Sequence, residues 1–129
     1  MDLNYIVNTF LVTLKGIPVT LIIMVVAILL SFIPALLLAL GQIYKVRGVR
    51  TFSVVYLAFI RATPPILLIL FFYSLFPSLL NQIFKSLGSQ VDVFKFNPLY
   101  YAFIIYSLMT TGSLSEILRS AILTVDKGQ

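Results

Sequence analysis

The 129-residue chain is 60% hydrophobic and only 10% charged, so it lacks the polar surface that a water-soluble domain, about 25% charged, needs. It contains no cysteine and no histidine, which excludes disulfides, thiolate nucleophiles, zinc sites and imidazole chemistry, and we expect no metal site. Its net charge of +5 comes from basic residues spaced between apolar runs, which disfavours nucleic-acid binding. We therefore predict a multi-pass all-α protein whose solvent is the lipid bilayer of the cell membrane.

Residues 2–15 mix polar and apolar side chains and are too polar to cross a bilayer. Their apolar residues recur at spacings of three and four, which predicts one apolar face of a helix. We interpret the segment as an amphipathic helix that lies in the membrane interface. A frayed chain end is the alternative.

The first predicted crossing covers residues 18–40. Pro18 suits the first turn of a helix, where no backbone N–H is needed, and Pro34 predicts a kink. Small side chains repeat every four residues and predict a helix-packing ridge that needs a partner helix. The ridge consists of Ala27, Ser31, Ala35 and Ala39.

A basic cluster follows the first crossing and sets the predicted topology. Lys45, Arg47 and Arg50 lie within six residues, whereas the N-terminal flank offers Lys15 and an amino terminus offset by Asp2. By the positive-inside rule, we expect the 45–50 loop in the cytoplasm and the N-terminus outside.

The second predicted crossing has two possible registers. We prefer one helix over residues 52–76 that Pro77 ends, which places Arg61 inside the membrane at a cost of about 2.5–3.5 kcal/mol. In the alternative, residues 51–60 lie on the membrane surface and Pro64 to Phe84 crosses. In the preferred register, residues 77–97 form an external connection.

The third predicted crossing covers residues 98–119. Asn97 is a helix-capping residue and Pro98 suits the first turn. Three crossings that start outside end inside, so we expect a cytoplasmic C-terminus.

Polar residues on the third helix are candidates for a solute pathway or gate. Ser107, Thr111, Ser115 and Arg119 recur every four residues and share one face. A polar face in a membrane helix must meet protein or water. A pathway and a hydrogen-bonded packing seam both satisfy this condition.

Three further candidates carry charge or bend the chain. Glu116 and Arg119 are three residues apart and can pair, either at the mouth of a pathway or as an interfacial salt bridge. Arg61 needs a partner or must snorkel to the cytoplasmic headgroups. Thr63 begins a Thr-Pro-Pro bend that frees nearby carbonyl groups.

Four short motifs in order resemble those of the permease subunits of ATP-binding-cassette importers for polar amino acids. Gly16, Thr20 and Leu21 are similar to a G-x-x-x-T-L motif, and Arg61-Ala62-Thr63-Pro64 resembles R-G-T-P with alanine for glycine. Residues 115–122 (SEILRSAI) are similar to A-E-I-x-R-G-A-I. Lys127-Gly128-Gln129 matches the K-G-Q that precedes the family's EAA loop, which docks on the ATPase.

The resemblance implies a partial type I importer permease, the N-terminal part without the EAA loop and the last two crossings. It also implies a second permease subunit (identical or different), an ATP-binding subunit and an external amino-acid-binding protein. The sequence has no Walker lysine loop, so we expect a partner to bind ATP, and we expect no enzyme activity and no cofactor in this chain. The alternatives are a small pore-forming, holin-like protein and a structural membrane protein.

Overall fold

A computed structural model describes residues 2–125, and every regular element in that range is helical. This confirms the predicted all-α class for the described part of the chain. A π-helical turn, Phe71–Leu75, joins the fourth helix to the fifth, and a 3₁₀ turn, Val93–Lys95, precedes the last helix. The helices are α1 (Leu3–Leu14), α2 (Ile17–Ile43), α3 (Arg47–Ala62), α4 (Pro65–Leu70), α5 (Phe76–Ser86) and α6 (Pro98–Thr124). The predicted approach to an ATPase-docking loop, Lys127, Gly128 and Gln129, lies outside the described residues.

Two helical stretches between residues 2 and 125 are long and apolar enough to cross a membrane, Leu3–Ile43 and Pro65–Ser86. The first contains α1 and α2, and the second contains α4, the π turn and α5. Helix α6 has 27 residues, about 40 Å of helix, but it is not among these candidate spans. The third crossing, the orientation of the chain and the type I fold therefore stay predictions.

The predicted single helix over residues 52–76 is wrong, because the chain breaks at Thr63 and Pro64. Both residues have extended backbone conformations, with ψ of 119° and 136°. Proline disfavours a helical conformation in the preceding residue and supplies no N–H. The next proline, Pro65, suits the first position of a new helix. The candidate span Pro65–Ser86 instead agrees with the alternative register from Pro64 to Phe84.

Pro77 does not end the second apolar helix, contrary to the prediction. It lies at the start of α5, directly after the π turn, in which the Phe76 N–H donates to the carbonyl of Phe71. The wider π turn accommodates the proline, which has no N–H, so the helix continues. The connection to α6 shortens from residues 77–97 to residues 87–97.

The predicted start of the last helix agrees with the structure. The Asn97 side-chain oxygen accepts a hydrogen bond from the Leu99 N–H at 3.0 Å, and Pro98 is the first helical residue. Pro18 likewise lies in the first turn of α2. Both prolines stand where a helix leaves backbone N–H groups without partners.

Helix α2 packs most extensively against α6, and α3 contacts both helices. The predicted ridge of small residues is buried, since Ala27, Ser31, Ala35 and Ala39 are at most 2% exposed. Gly41 extends this close approach towards α3, because a Cβ atom on it would lie 2.8 Å from the Cβ of Val49. Small side chains let the helix backbones approach in the absence of a water-driven hydrophobic effect.

The outer surfaces of these helices are apolar. Ile33 and Leu37 on α2 are 68% and 61% exposed, and no residue of α1 is buried. A water-soluble protein rarely exposes such continuous apolar surface. The described helices therefore need lipid, or other helices, around them. The interfacial position predicted for α1 stays a prediction.

Candidate functional site

The break between α3 and α4 forms one wall of an open cleft of about 570 Å³, and α6 forms the other wall. One charged side chain, several hydroxyl groups and apolar residues line it. The lining comprises Ile60, Arg61, Ala62, Thr63, Pro64 and Pro65 on the first wall, and Tyr106, Met109, Thr110 and Ser113 on α6.

Arg61 forms an ion pair with Glu116, which links the end of α3 to α6. The two side chains are 63% and 36% exposed, so both charged groups remain accessible. The sequence left the partner of Arg61 open and offered Arg119 as a partner for Glu116. Among residues 2–125 the structure brings Glu116 to Arg61 and shows no ion pair between Glu116 and Arg119.

The structure places Arg61 outside the second candidate span, whereas the preferred register of the sequence placed it inside a crossing. The second candidate span begins at Pro65, so Arg61 precedes this span and does not lie inside it. It also occupies the last turn of α3, where a cation interacts favourably with the negative end of the helix dipole.

Contacts with α6 fix the positions of the helices on either side of the break. The Tyr56 hydroxyl donates to the carbonyl of Leu108, and Ile60 lies against Gly112, where an added Cβ would meet it at 3.4 Å. Beyond the break, the Tyr73 hydroxyl donates to the carbonyl of Pro98 at 3.1 Å. The chain therefore runs along α6 in one direction before the break and in the opposite direction after it. The cleft lies at this reversal.

The predicted polar stripe on α6 lies mainly inside the helix packing. Thr111 and Ser115 are buried, and their hydroxyls donate to the carbonyls of Ser107 and Gly112, at 2.7 and 2.8 Å. Such bonds within one helix satisfy buried hydroxyl groups without a solute. Ser107 is half-buried, and the stripe ends at the exposed Arg119. Ser107 and Thr111 also line a separate, mainly apolar cavity of about 330 Å³. The burial of the stripe fits a packing seam, and its role in a pathway stays a prediction.

A second polar face of α6, which the sequence analysis missed, lines the cleft. Tyr106, Thr110 and Ser113 follow at spacings of four and three, and Glu116 is three residues further. Residues at these spacings share a helix face, so the periodicity was present in the sequence. It was overlooked because the buried stripe repeats more regularly, every four residues. Of the predicted pathway residues, Arg61, Thr63 and Glu116 lie at or beside the cleft.

The residues predicted to set the topology do not line the cleft between α3, α4 and α6. Lys45, Arg47 and Arg50 line a separate groove at the turn between α2 and α3. They do not contribute to the cleft.

No protein-family model matches the chain, and no solved structure gives a significant match. Curated relatives do match it over nearly its whole length. The L-cystine transport system permease protein of Bacillus subtilis is 36% identical over 130 residues, 99% of this chain and 51% of the relative. The arginine transport system permease protein of the same organism is 32% identical over 116 residues, 90% of this chain and 48% of the relative. The nopaline transport system permease protein of Agrobacterium fabrum is 30% identical over 132 residues, 100% of this chain and 52% of the relative.

The chain spans about half the length of the curated relatives it matches. These relatives are permease subunits and not enzymes, which confirms the expectation that the chain is not itself an enzyme. The resemblance found in the sequence motifs is confirmed by the same comparison. The chain belongs to the family of permease subunits of amino-acid ATP-binding-cassette transport systems, and it corresponds to part of such a subunit.

Proposed function

We propose that the chain is part of the membrane-spanning permease subunit of an ATP-driven importer, and that the cleft contributes to the pathway of a polar amino acid. The observation that carries the proposal is the accessible Arg61–Glu116 pair beside a cleft lined with hydroxyl groups. Curated relatives transport cystine and arginine, to judge from their names. Both solutes are polar amino acids.

The charges of the pair complement those of an amino acid. The guanidinium of Arg61 offers several N–H donors to a carboxylate, and the Glu116 carboxylate accepts from an ammonium group. Hydroxyls of Thr110 and Ser113 offer neutral hydrogen bonds along the same wall. A zwitterion that enters the cleft can therefore exchange its water for protein groups of matching charge.

In this proposal, partner proteins supply the energy for transport and deliver the solute. An ATP-binding subunit supplies hydrolysis, since the sequence contains no phosphate-binding lysine loop. A second permease subunit completes the pathway, and an external amino-acid-binding protein delivers the solute. The family membership supports these partners, and the cell membrane is the location it implies.

The test is uptake of radiolabelled cystine and arginine by the complete permease that contains these residues, assembled with its ATP-binding subunit and binding protein. Replacement of Arg61 by alanine removes a charged hydrogen-bonding group, which is worth about 1.5–3 kcal/mol. We expect uptake per inserted molecule to fall about ten- to a hundredfold. The control is Lys15→Ala, which removes a cation that does not line the cleft and should leave uptake unchanged.

A charge exchange separates solute recognition from a structural role. In Arg61→Glu with Glu116→Arg, the ion pair is retained but its polarity is reversed. We expect normal insertion and thermal stability with uptake still impaired. Uptake at the parent level in the exchanged variant, or in Arg61→Ala, contradicts a role of the pair in the pathway.

A further inference from the structure

A second, basic groove lies at the turn between α2 and α3, away from the cleft. Its volume is about 460 Å³. Three cations, one hydroxyl residue and two valines line it, and no acidic residue is among them: Lys45, Arg47, Arg50, Thr51, Val54 and Val55. Within residues 2–125, none of the three cations forms an ion pair. The groove therefore combines positive charge that the described chain does not neutralise with an apolar wall.

Lys45 has a backbone conformation that residues other than glycine rarely adopt. Its φ is 55°, in the left-handed region that favours glycine. The Val46 N–H donates to the carbonyl of Gly41 at 3.0 Å and the Lys45 N–H to that of Gln42 at 3.4 Å, which is the helix-ending motif in which glycine usually occupies this position. The turn places the Lys45 cation at the end of α2, where it lines the groove together with Arg47 and Arg50.

Helix α3 presents apolar side chains next to these cations. Phe52, Val55 and Phe59 are 61%, 63% and 57% exposed, whereas Ser53 and Leu57 on the opposite side are buried. Helix α3 has 16 residues, about 24 Å of helix, which is shorter than the hydrocarbon core of about 30 Å. A helix with cations and an exposed apolar face lies in the plane of a membrane interface, where anionic lipids attract it.

We propose that this groove binds the phosphate headgroup of an anionic phospholipid. Lys45, Arg47 and Arg50 neutralise the phosphate, and the first-turn N–H groups of α3, which begins at Arg47, add partial positive charge. Val54 and Val55 contact the upper part of an acyl chain. An amphiphile fits this pairing of charge and apolar wall, whereas a free anion leaves the valines uncovered.

The test is native mass spectrometry of the complete permease that contains these residues, released from nanodiscs that hold equal phosphatidylglycerol and phosphatidylcholine. The parent permease should retain phosphatidylglycerol in preference. Removal of the charges by Lys45→Gln, Arg47→Gln and Arg50→Gln should reduce this preference about fivefold per charge, the fold-change that corresponds to about 1 kcal/mol per basic residue near an anionic surface. A matched variant, Lys15→Gln, Lys85→Gln and Lys95→Gln, removes three cations elsewhere and should keep the preference.

Three outcomes overturn the lipid site. These are equal retention of both lipids by the parent permease, equal losses in the two triple variants, and displacement of the lipid by inorganic phosphate, which would mark a site for free anions.

The variant Lys45→Gly separates charge from folding, because glycine suits the left-handed turn. We expect a higher unfolding midpoint together with a weaker phosphatidylglycerol preference. A lipid preference unchanged in Lys45→Gly removes Lys45 from the site.

Discussion

Helix α6 carries hydroxyl groups on two faces, and the structure places these faces in different surroundings. Thr111 and Ser115 are buried and donate to carbonyls of their own helix. Thr110 and Ser113 line the cleft opposite Arg61. The same residue types therefore serve packing on one face and remain available to a solute on the other. A polar stripe in a membrane helix is therefore a candidate for a pathway only where its hydroxyl groups are open.

Leucine substitutions should distinguish the two faces of α6 by the largest difference in stability. Ser115 is fully buried, so Ser115→Leu overpacks the seam and should lower the free energy of unfolding by about 1–3 kcal/mol. Ser113→Leu, on the open face, should change stability by no more than about 0.5 kcal/mol. Thermal unfolding of the purified chain in detergent measures both. Equal destabilisation by the two variants would mean that the faces are not distinct.

A smaller effect tests the contact that holds α3 against α6. Tyr56→Phe removes the hydroxyl that donates to the Leu108 carbonyl and should cost about 0.5–1.5 kcal/mol of stability. The matched variant is Tyr106→Phe, whose hydroxyl makes no hydrogen bond within residues 2–125 and lies beside the cleft. We expect no loss there, and a loss as large as that of Tyr56→Phe would argue against the placement of α3.

The smallest effect concerns the ion pair. Because Arg61 and Glu116 are both partly exposed, their coupling in a double-mutant cycle with Arg61→Gln and Glu116→Gln should be about 0.2–1 kcal/mol. A coupling of several kcal/mol would show that the pair is a buried structural link. Its groups would then not be free to exchange partners with a solute.

Local rules in the sequence predicted the helix starts but not the chain reversal. The Asn97 cap and the first-turn prolines follow from backbone hydrogen bonding within one turn, and the structure agrees with them. The break at Thr63–Pro64 and the continuation through Pro77 both depend on how a helix responds to proline. Two adjacent prolines end α3, whereas the π turn before Pro77 accommodates one.

The cleft residues were only partly predictable, because the cleft itself depends on the chain reversal. Arg61, Thr63 and Glu116 stood out because charge and a proline-linked bend are rare in apolar segments. Thr110 and Ser113 did not, because their importance comes from the cleft, which exists only once the chain reverses at Pro64. Periodicity defines the faces of a helix, but the partner helices decide which face stays open.

Because the chain contains no cysteine, single cysteine variants can report which face of α6 water reaches in a membrane. Single variants Ser113→Cys and Ser115→Cys, made in the complete permease, are treated with a membrane-impermeant, water-soluble thiol reagent. We expect rapid modification at residue 113 that arginine or cystine slows, and no modification at residue 115. An unreactive thiol at residue 113 together with a reactive one at residue 115 would contradict the account, because the buried seam would then be the wetted face.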